Sequence, residues 1–209
     1  MAANLSSMAA SNTAKQLLWQ SPSDIHPIVR IRRLIWKIGL ATLALMAVGS
    51  ATRVMNAGLA CPDWPLCYGQ LVPQQQMNLQ VFLEWFHRLD AMVIGLSTLW
   101  LLGLCLWYRS QLPRWLPWAA GGALLLVGFQ GLLGGLTVTQ LLRFDIVTAH
   151  LGTALLFFSA MLATGTCLLP YKPTGAVGRL PWLGAGAMVL VCLQCLLGGL
   201  VGSRWAAHQ

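Results

Sequence analysis

Charge is what this sequence has least of. Of its 209 residues only 9% are Asp, Glu, Lys or Arg, where a soluble domain carries about a quarter. That scarcity excludes the ordinary water-soluble classes. Acidic residues number five, and a single glutamate, Glu84, stands among them. The first stretch, 1–27, has no apolar segment of the kind a secretory signal needs. Its one basic residue, Lys15, speaks against a transit peptide. A flexible cytoplasmic tail is expected there. Alternation of polar and apolar residues is also missing from the long apolar runs, which excludes a membrane β-barrel.

What is present is apolar length: 57% of the residues are hydrophobic. They recur in runs of about 20, the length that carries a helix across a bilayer core. Inside lipid every backbone polar group must be satisfied within the segment, so continuous runs become helices. Five spans are expected, Leu34–Arg53, Glu84–Tyr108, Pro117–Gln140, Ile146–Leu169 and Pro181–Gly202. The fold class is therefore an all-α integral membrane protein, a five-helix transmembrane bundle.

The net charge of +8 does not point to nucleic acid, because its distribution follows the membrane. Lys15, Arg30, Arg32, Arg33, Lys37, Arg109, Arg114, Lys172 and Arg179 fall on the N-terminal side of these spans. Arg53, Arg88, Arg143 and Arg204 fall at or beyond the opposite face. The positive-inside rule then places the N-terminus in the cytoplasm and the C-terminus outside. The loop 54–83 and the turn near 141–145 lie outside with this orientation.

Two internal echoes stand out. Gln130-Gly-Leu-Leu-Gly-Gly-Leu136 on the third span is matched by Gln194-Cys-Leu-Leu-Gly-Gly-Leu200 on the fifth. Gly49-Ser-Ala-Thr-Arg53 is matched by Gly202-Ser-Arg204. Paired glycines let membrane helices approach closely, and an ancient duplication gives the same pattern. The residues alone leave both open.

Of the four histidines, His26 and His208 read as surface residues of the termini. His87 and His150 differ. Each lies about a turn inside the outer end of its helix, on two spans that run in the same direction. Imidazoles at matched depth on parallel helices suit the two axial positions of a heme iron. Hydrogen-bonded interfacial histidines are the alternative. Glu84 lies three residues before His87, on the same helical face. It fits a carboxylate at a heme edge and equally an anion at a helix N-terminus. Arg53, Arg88 and Arg143 gather at the outer helix ends. They suit heme propionates or simple snorkelling.

Cys61 and Cys67 flank Pro-Asp-Trp-Pro-Leu in the outer loop, an oxidising setting in which a disulfide is expected. Their spacing matches neither a zinc knuckle nor a c-type heme attachment. Cys105, Cys167, Cys192 and Cys195 lie in apolar helix and read as small packing residues.

Taken together, Arg53-Val-Met-Asn-Ala-Gly58 leading to Cys61-Pro-Asp-Trp-Pro-Leu-Cys67, then Glu84-Trp-Phe-His-Arg88, then Thr148-Ala-His-Leu-Gly152, resemble the N-terminal half of the heme A synthases. The resemblance runs from about Leu34 to the end. It implies an eight-helix enzyme of two similar four-helix halves that oxidises a ring methyl of heme O to the formyl group of heme A, with water as the oxygen source. It implies His87 and His150 as ligands of the substrate heme, Glu84 as catalytic, and Cys61 with Cys67 as the outer-loop pair. Residues 28–170 are then the four-helix heme-binding half, and 171–209 a linker with the first helix of a second half. Helices six to eight, and with them the site for heme B, are not in the sequence. A second chain or copy is one way to complete them. Expected partners are the bilayer of a bacterial cell membrane, heme O, heme O synthase and an electron acceptor, with no nucleic acid. A cytochrome b-like electron carrier using the same histidines, and a non-catalytic membrane assembly protein, are the alternative functions.

Overall fold

The computed structural model describes residues 27–170 and 180–206, with the side chains at 180–181 and 202–206 left aside. Five helices follow one another: α1 (Pro27–Val54), α2 (Leu79–Trp107), α3 (Leu116–Thr139), α4 (Phe144–Cys167) and α5 (Leu180–Ala206). Each carries a stretch long and apolar enough to cross a membrane. Among the described residues there is no strand, only an isolated bridge between Cys67 and Gln70. The all-α, five-span architecture expected from the apolar runs is what the chain adopts. His26, His208, Lys15, Lys172, Arg179, the side chain of Arg204 and most of the expected tail and linker lie outside the described residues.

The helices overrun the apolar runs at their starts. α1 begins at Pro27 rather than Leu34, and α2 at Leu79 rather than Glu84. Hydropathy marks the hydrocarbon zone, whereas backbone hydrogen bonding continues until something stops it. At α2 the stop is Asn78, whose side chain accepts from the Val81 N–H at 2.9 Å and satisfies one of the orphan donors of the first turn. α3 opens with Pro117 in its first turn, where the missing N–H costs nothing. Between α3 and α4 the chain reverses through Leu141 (φ 49°) and Leu142 (φ 58°). This left-handed backbone costs a leucine about 1 kcal/mol or more. Leu142 lies against Gly58, where a Cβ would stand 3.3 Å from its Cδ1. The long first loop is thus packed against the short second one.

α1 packs on α2, α2 on α3, α3 on α4 and α4 back on α1, closing a four-helix ring; α5 lies against α4. The apolar core sits at the end where α1 and α3 begin. Ile31, Ile35 and Ile38 of α1 meet Leu101 and Cys105 of α2, Leu116 and Ala120 of α3, and Phe157 and Met161 of α4 there. Buried threonines inside the ring, Thr42 and Thr98, return their hydroxyls to carbonyls four residues back, as lipid-embedded polar groups must. A second, smaller cluster of Cys61, Cys67 and Val81 marks the other end, under the first loop.

Candidate functional site

At that loop end the ring carries two histidines with glycines beside them. His87 is on α2 and His150 on α4, two helices that face each other diagonally across the ring. Each ring rests against a glycine of an adjacent helix. A Cβ on Gly49 of α1 would stand 2.9 Å from His87 Cε1, and one on Gly134 of α3 would stand 3.5 Å from His150 Cε1. His150 lies over the stretch of α3 that carries Gln130. Gln130 in turn donates from Nε2 to the His150 carbonyl at 2.6 Å and to the Thr153 hydroxyl. This fixes the α4 backbone beneath the ring.

Both histidines keep one nitrogen in reserve: Nδ1 of His87 and Nδ1 of His150 are buried without a hydrogen-bond partner. An orphaned buried nitrogen is costly unless something else binds it. Among the described residues no three His, Cys, Asp or Glu side chains gather as a bare metal ion would need. A pair of imidazoles across a bundle suits instead an iron whose other ligands come from a macrocycle. The donor set, the orphaned nitrogens and the glycine seats fit a heme.

The polar residues around this pair are arranged less simply than their sequence positions imply. Glu84 is buried, and both its oxygens are occupied. Oε2 accepts from the Cys61 N–H at 2.8 Å, and Oε1 pairs with Arg88 Nη2. Arg88 also donates to the carbonyls of Asp63, Leu66 and Cys61. Arg143 is exposed and forks onto Asp145, at 3.2 and 2.7 Å. Arg53 is exposed at the end of α1. So His87 and His150 stand at the same end of the ring on diagonal helices, Glu84 and Arg88 come together on the loop, and Arg143 is paired along its own helix start.

Cys61 and Cys67 form a disulfide, with Cα atoms 4.8 Å apart. Within the loop Asp63 accepts from the N–H groups of Tyr68 and Gly69, at 2.6 and 2.7 Å. These bonds, that of Gly69 foremost, hold its carboxyl below the usual range. Trp64 lies over Gly135, where a Cβ would meet the indole at 3.2 Å. Of the two neighbouring glycines on α3, Gly134 therefore receives His150 and Gly135 receives Trp64. The matching motif on α5 packs in its own way. A Cβ on Gly199 would meet Leu151 Cδ2 at 2.7 Å, and one on Gly152 would meet Leu196 at 3.1 Å.

Sequence reasoning missed Gly49, Gly134, Gly135, Trp64, Asp63 and Gln130 as parts of the site. All six lie inside the glycine echoes and the cysteine loop. What it lacked was which ring each glycine faces.

Comparison with known proteins places these features in one family. The family profile described as cytochrome oxidase assembly protein, COX15-CtaA, matches residues 32–209. A protein of Shewanella oneidensis named heme A synthase is 32% identical over 201 residues, covering 84% of this chain and 58% of its own length. One of Bradyrhizobium diazoefficiens with the same name is 31% identical, covering 90% of this chain and 61% of its own length. Another, from Sphingopyxis alaskensis, is 27% identical, covering 84% and 61%. This chain thus spans about three fifths of the length of these curated relatives. No solved structure matches it. With its five apolar helices and bacterial relatives, it is a multi-pass bacterial membrane protein. The matched span takes in the disulfide loop, Glu84, Arg88 and both histidine helices, and this chain belongs to the COX15-CtaA family of cytochrome oxidase assembly proteins.

Proposed function

We propose that this chain is the substrate-holding part of a heme A synthase, binding heme O between His87 and His150 and supporting oxidation of one ring methyl to the formyl group of heme A. The observation that carries this is the pair of buried, unpartnered Nδ1 atoms on diagonal helices. The name of the relatives, heme A synthase, agrees with it. Bound heme supplies the iron and the methyl to be oxidised; the residues supply its place. His87 and His150 are the residues that would hold its iron. Arg53 at the end of α1 and Arg143 just before α4 would be the cations for its propionates. The loop end of the bundle faces outward, as the basic residues at the other end require of a positive-inside protein.

Glu84 sits one turn from His87 on the same helix. Both carbon oxidations release protons as water oxygen is incorporated, and a carboxylate there is the group able to take them. Electrons pass to an acceptor outside this chain. The rest of the enzyme, with a heme B site, comes from sequence beyond this chain or from a second copy, and heme O from the synthase that makes it. Residues 28–170 form the working unit, and α5 opens the second.

The engagement of both Glu84 oxygens by Cys61 and Arg88 favours one other reading, a bis-histidine electron carrier in which Glu84 only anchors the loop. The two separate cleanly. Express Glu84→Gln and Glu84→Asp with a heme O supply and the completing half, then quantify heme A by chromatography. The synthase reading expects Glu84→Gln to keep its heme and lose heme A formation, with partial recovery in Glu84→Asp. Undiminished heme A from Glu84→Gln rules out a catalytic Glu84, and a wild type that never converts heme O leaves the carrier.

A further inference from the structure

Arg88 follows His87 in the chain, yet its guanidinium is spent on the first loop. Nη1 donates to the carbonyls of Asp63 and Leu66, both at 2.6 Å. Nη2 donates to the Cys61 carbonyl at 3.2 Å and pairs with Glu84. Arginine has five N–H donors, so these contacts leave only Nε–H. A single remaining donor cannot grip a carboxylate in the bidentate fork that makes arginine a good propionate partner. Its side chain is 15% exposed, consistent with a group enclosed by its acceptors.

Three of those acceptors are backbone carbonyls of one short loop, closed by the Cys61–Cys67 disulfide and braced from within by Asp63. Glu84 holds the same loop by the Cys61 N–H. The other side of the loop rests on α3 through Trp64 over Gly135. The loop therefore bridges α2 and α3, and at both ends it stands one residue from a histidine contact. Arg88 adjoins His87, and Gly135 adjoins Gly134, the seat of His150.

We infer that Arg88 is a positioning residue, gathering the carbonyls of Cys61, Asp63 and Leu66 so that the disulfide loop stands as a wall across the loop end of the histidine site and slows the loss of a bound heme. This rests on the reading of His87 and His150 as heme ligands. Lysine does not substitute for Arg88 here. An ammonium is a compact point charge, whereas three carbonyls and a carboxylate arrayed around a plane need the guanidinium fork.

The test uses the full chain in detergent, with its other cysteines blocked, and hemin as probe. Two rates are read: reduction of the disulfide by a phosphine, followed by maleimide labelling, and loss of hemin to excess apomyoglobin, followed by absorbance. Hydrogen bonds to a charged group are the strong ones, so Arg88→Gln and Arg88→Lys are expected to raise both rates by about tenfold or more. Trp64→Ala, which leaves the Arg88 contacts in place, is expected to speed hemin loss and leave disulfide reduction at the wild-type rate. It carries the test with Arg88→Lys if Arg88→Gln does not fold. Wild-type rates in both Arg88 variants overturn the inference, as does faster reduction with unchanged hemin loss. If His87→Ala and His150→Ala destroy the low-spin spectrum while the Arg88 variants behave as wild type, the wall is wrong and the heme reading stands. A spectrum indifferent to both histidines overturns the heme reading and the wall together.

Discussion

Gly49 is the position where one methyl group should matter most. Its absent Cβ would lie 2.9 Å from His87 Cε1, 3.4 Å from Nδ1 and 3.6 Å from Nε2. The first distance is shorter than any stable carbon–carbon contact. In Gly49→Ala, either α1 and α2 must part or the ring must turn away from its seat. Overpacking of this kind costs about 1–3 kcal/mol. If the cost falls on heme binding, it corresponds to a loss of roughly fivefold to 150-fold in affinity. Gly134→Ala provides the internal comparison. There the added methyl would stand 3.5 Å from His150, an ordinary contact. Gly95→Ala, with nothing within 4 Å, controls for helix propensity. Hemin titration followed in the Soret band reads all three. Weakened binding in Gly49→Ala alone is expected. Equal binding in Gly49→Ala and Gly95→Ala would refute the idea that the Gly49 seat sets the position of His87.

Two further outcomes follow from the loop. In freshly isolated membranes Cys61 and Cys67 should resist maleimide until reductant is added, because their sulfurs are joined; ready labelling of both without reductant contradicts a stable bond. Asp63, whose carboxyl is held below its ordinary value of 3.8 chiefly by the Gly69 N–H, should brace the loop at neutral pH. Its contribution is lost as pH falls through that lowered pKa. Disulfide reduction by a phosphine should therefore accelerate on acidification in the wild type. Asp63→Asn should be fast at every pH, and identical pH profiles for the two would show that Asp63 does not brace the loop.

The membrane architecture was legible because the solvent dictates it. A chain this poor in charge, with runs of this length, has few ways to satisfy its backbone in lipid. Helix ends were less legible, since Asn78 and the left-handed Leu141 and Leu142 act through local geometry that hydropathy does not record. Depth and direction along two spans suggested His87 and His150 as a pair, but not the Gly49 and Gly134 seats against which their rings lie. The roles of Glu84 and Arg88 could not be read in that way. Beyond the i,i+4 pair they make with each other, their partners are backbone carbonyls and an N–H of residues 61–66, more than twenty positions away in the chain, and backbone groups carry no sequence signal. The glycines were visible as a repeat, but the same Gly-Gly pair receives His150 and Trp64 on α3, while on α5 Gly199 packs against Leu151. Only tertiary packing separates these uses.

The claim on which everything else depends is that His87 and His150 share one heme. The direct measurement is the absorption spectrum of the chain purified with heme, as wild type, His87→Ala and His150→Ala. A low-spin bis-imidazole spectrum in the wild type that is lost in each single variant is the predicted result. The same low-spin spectrum in all three proteins would contradict it.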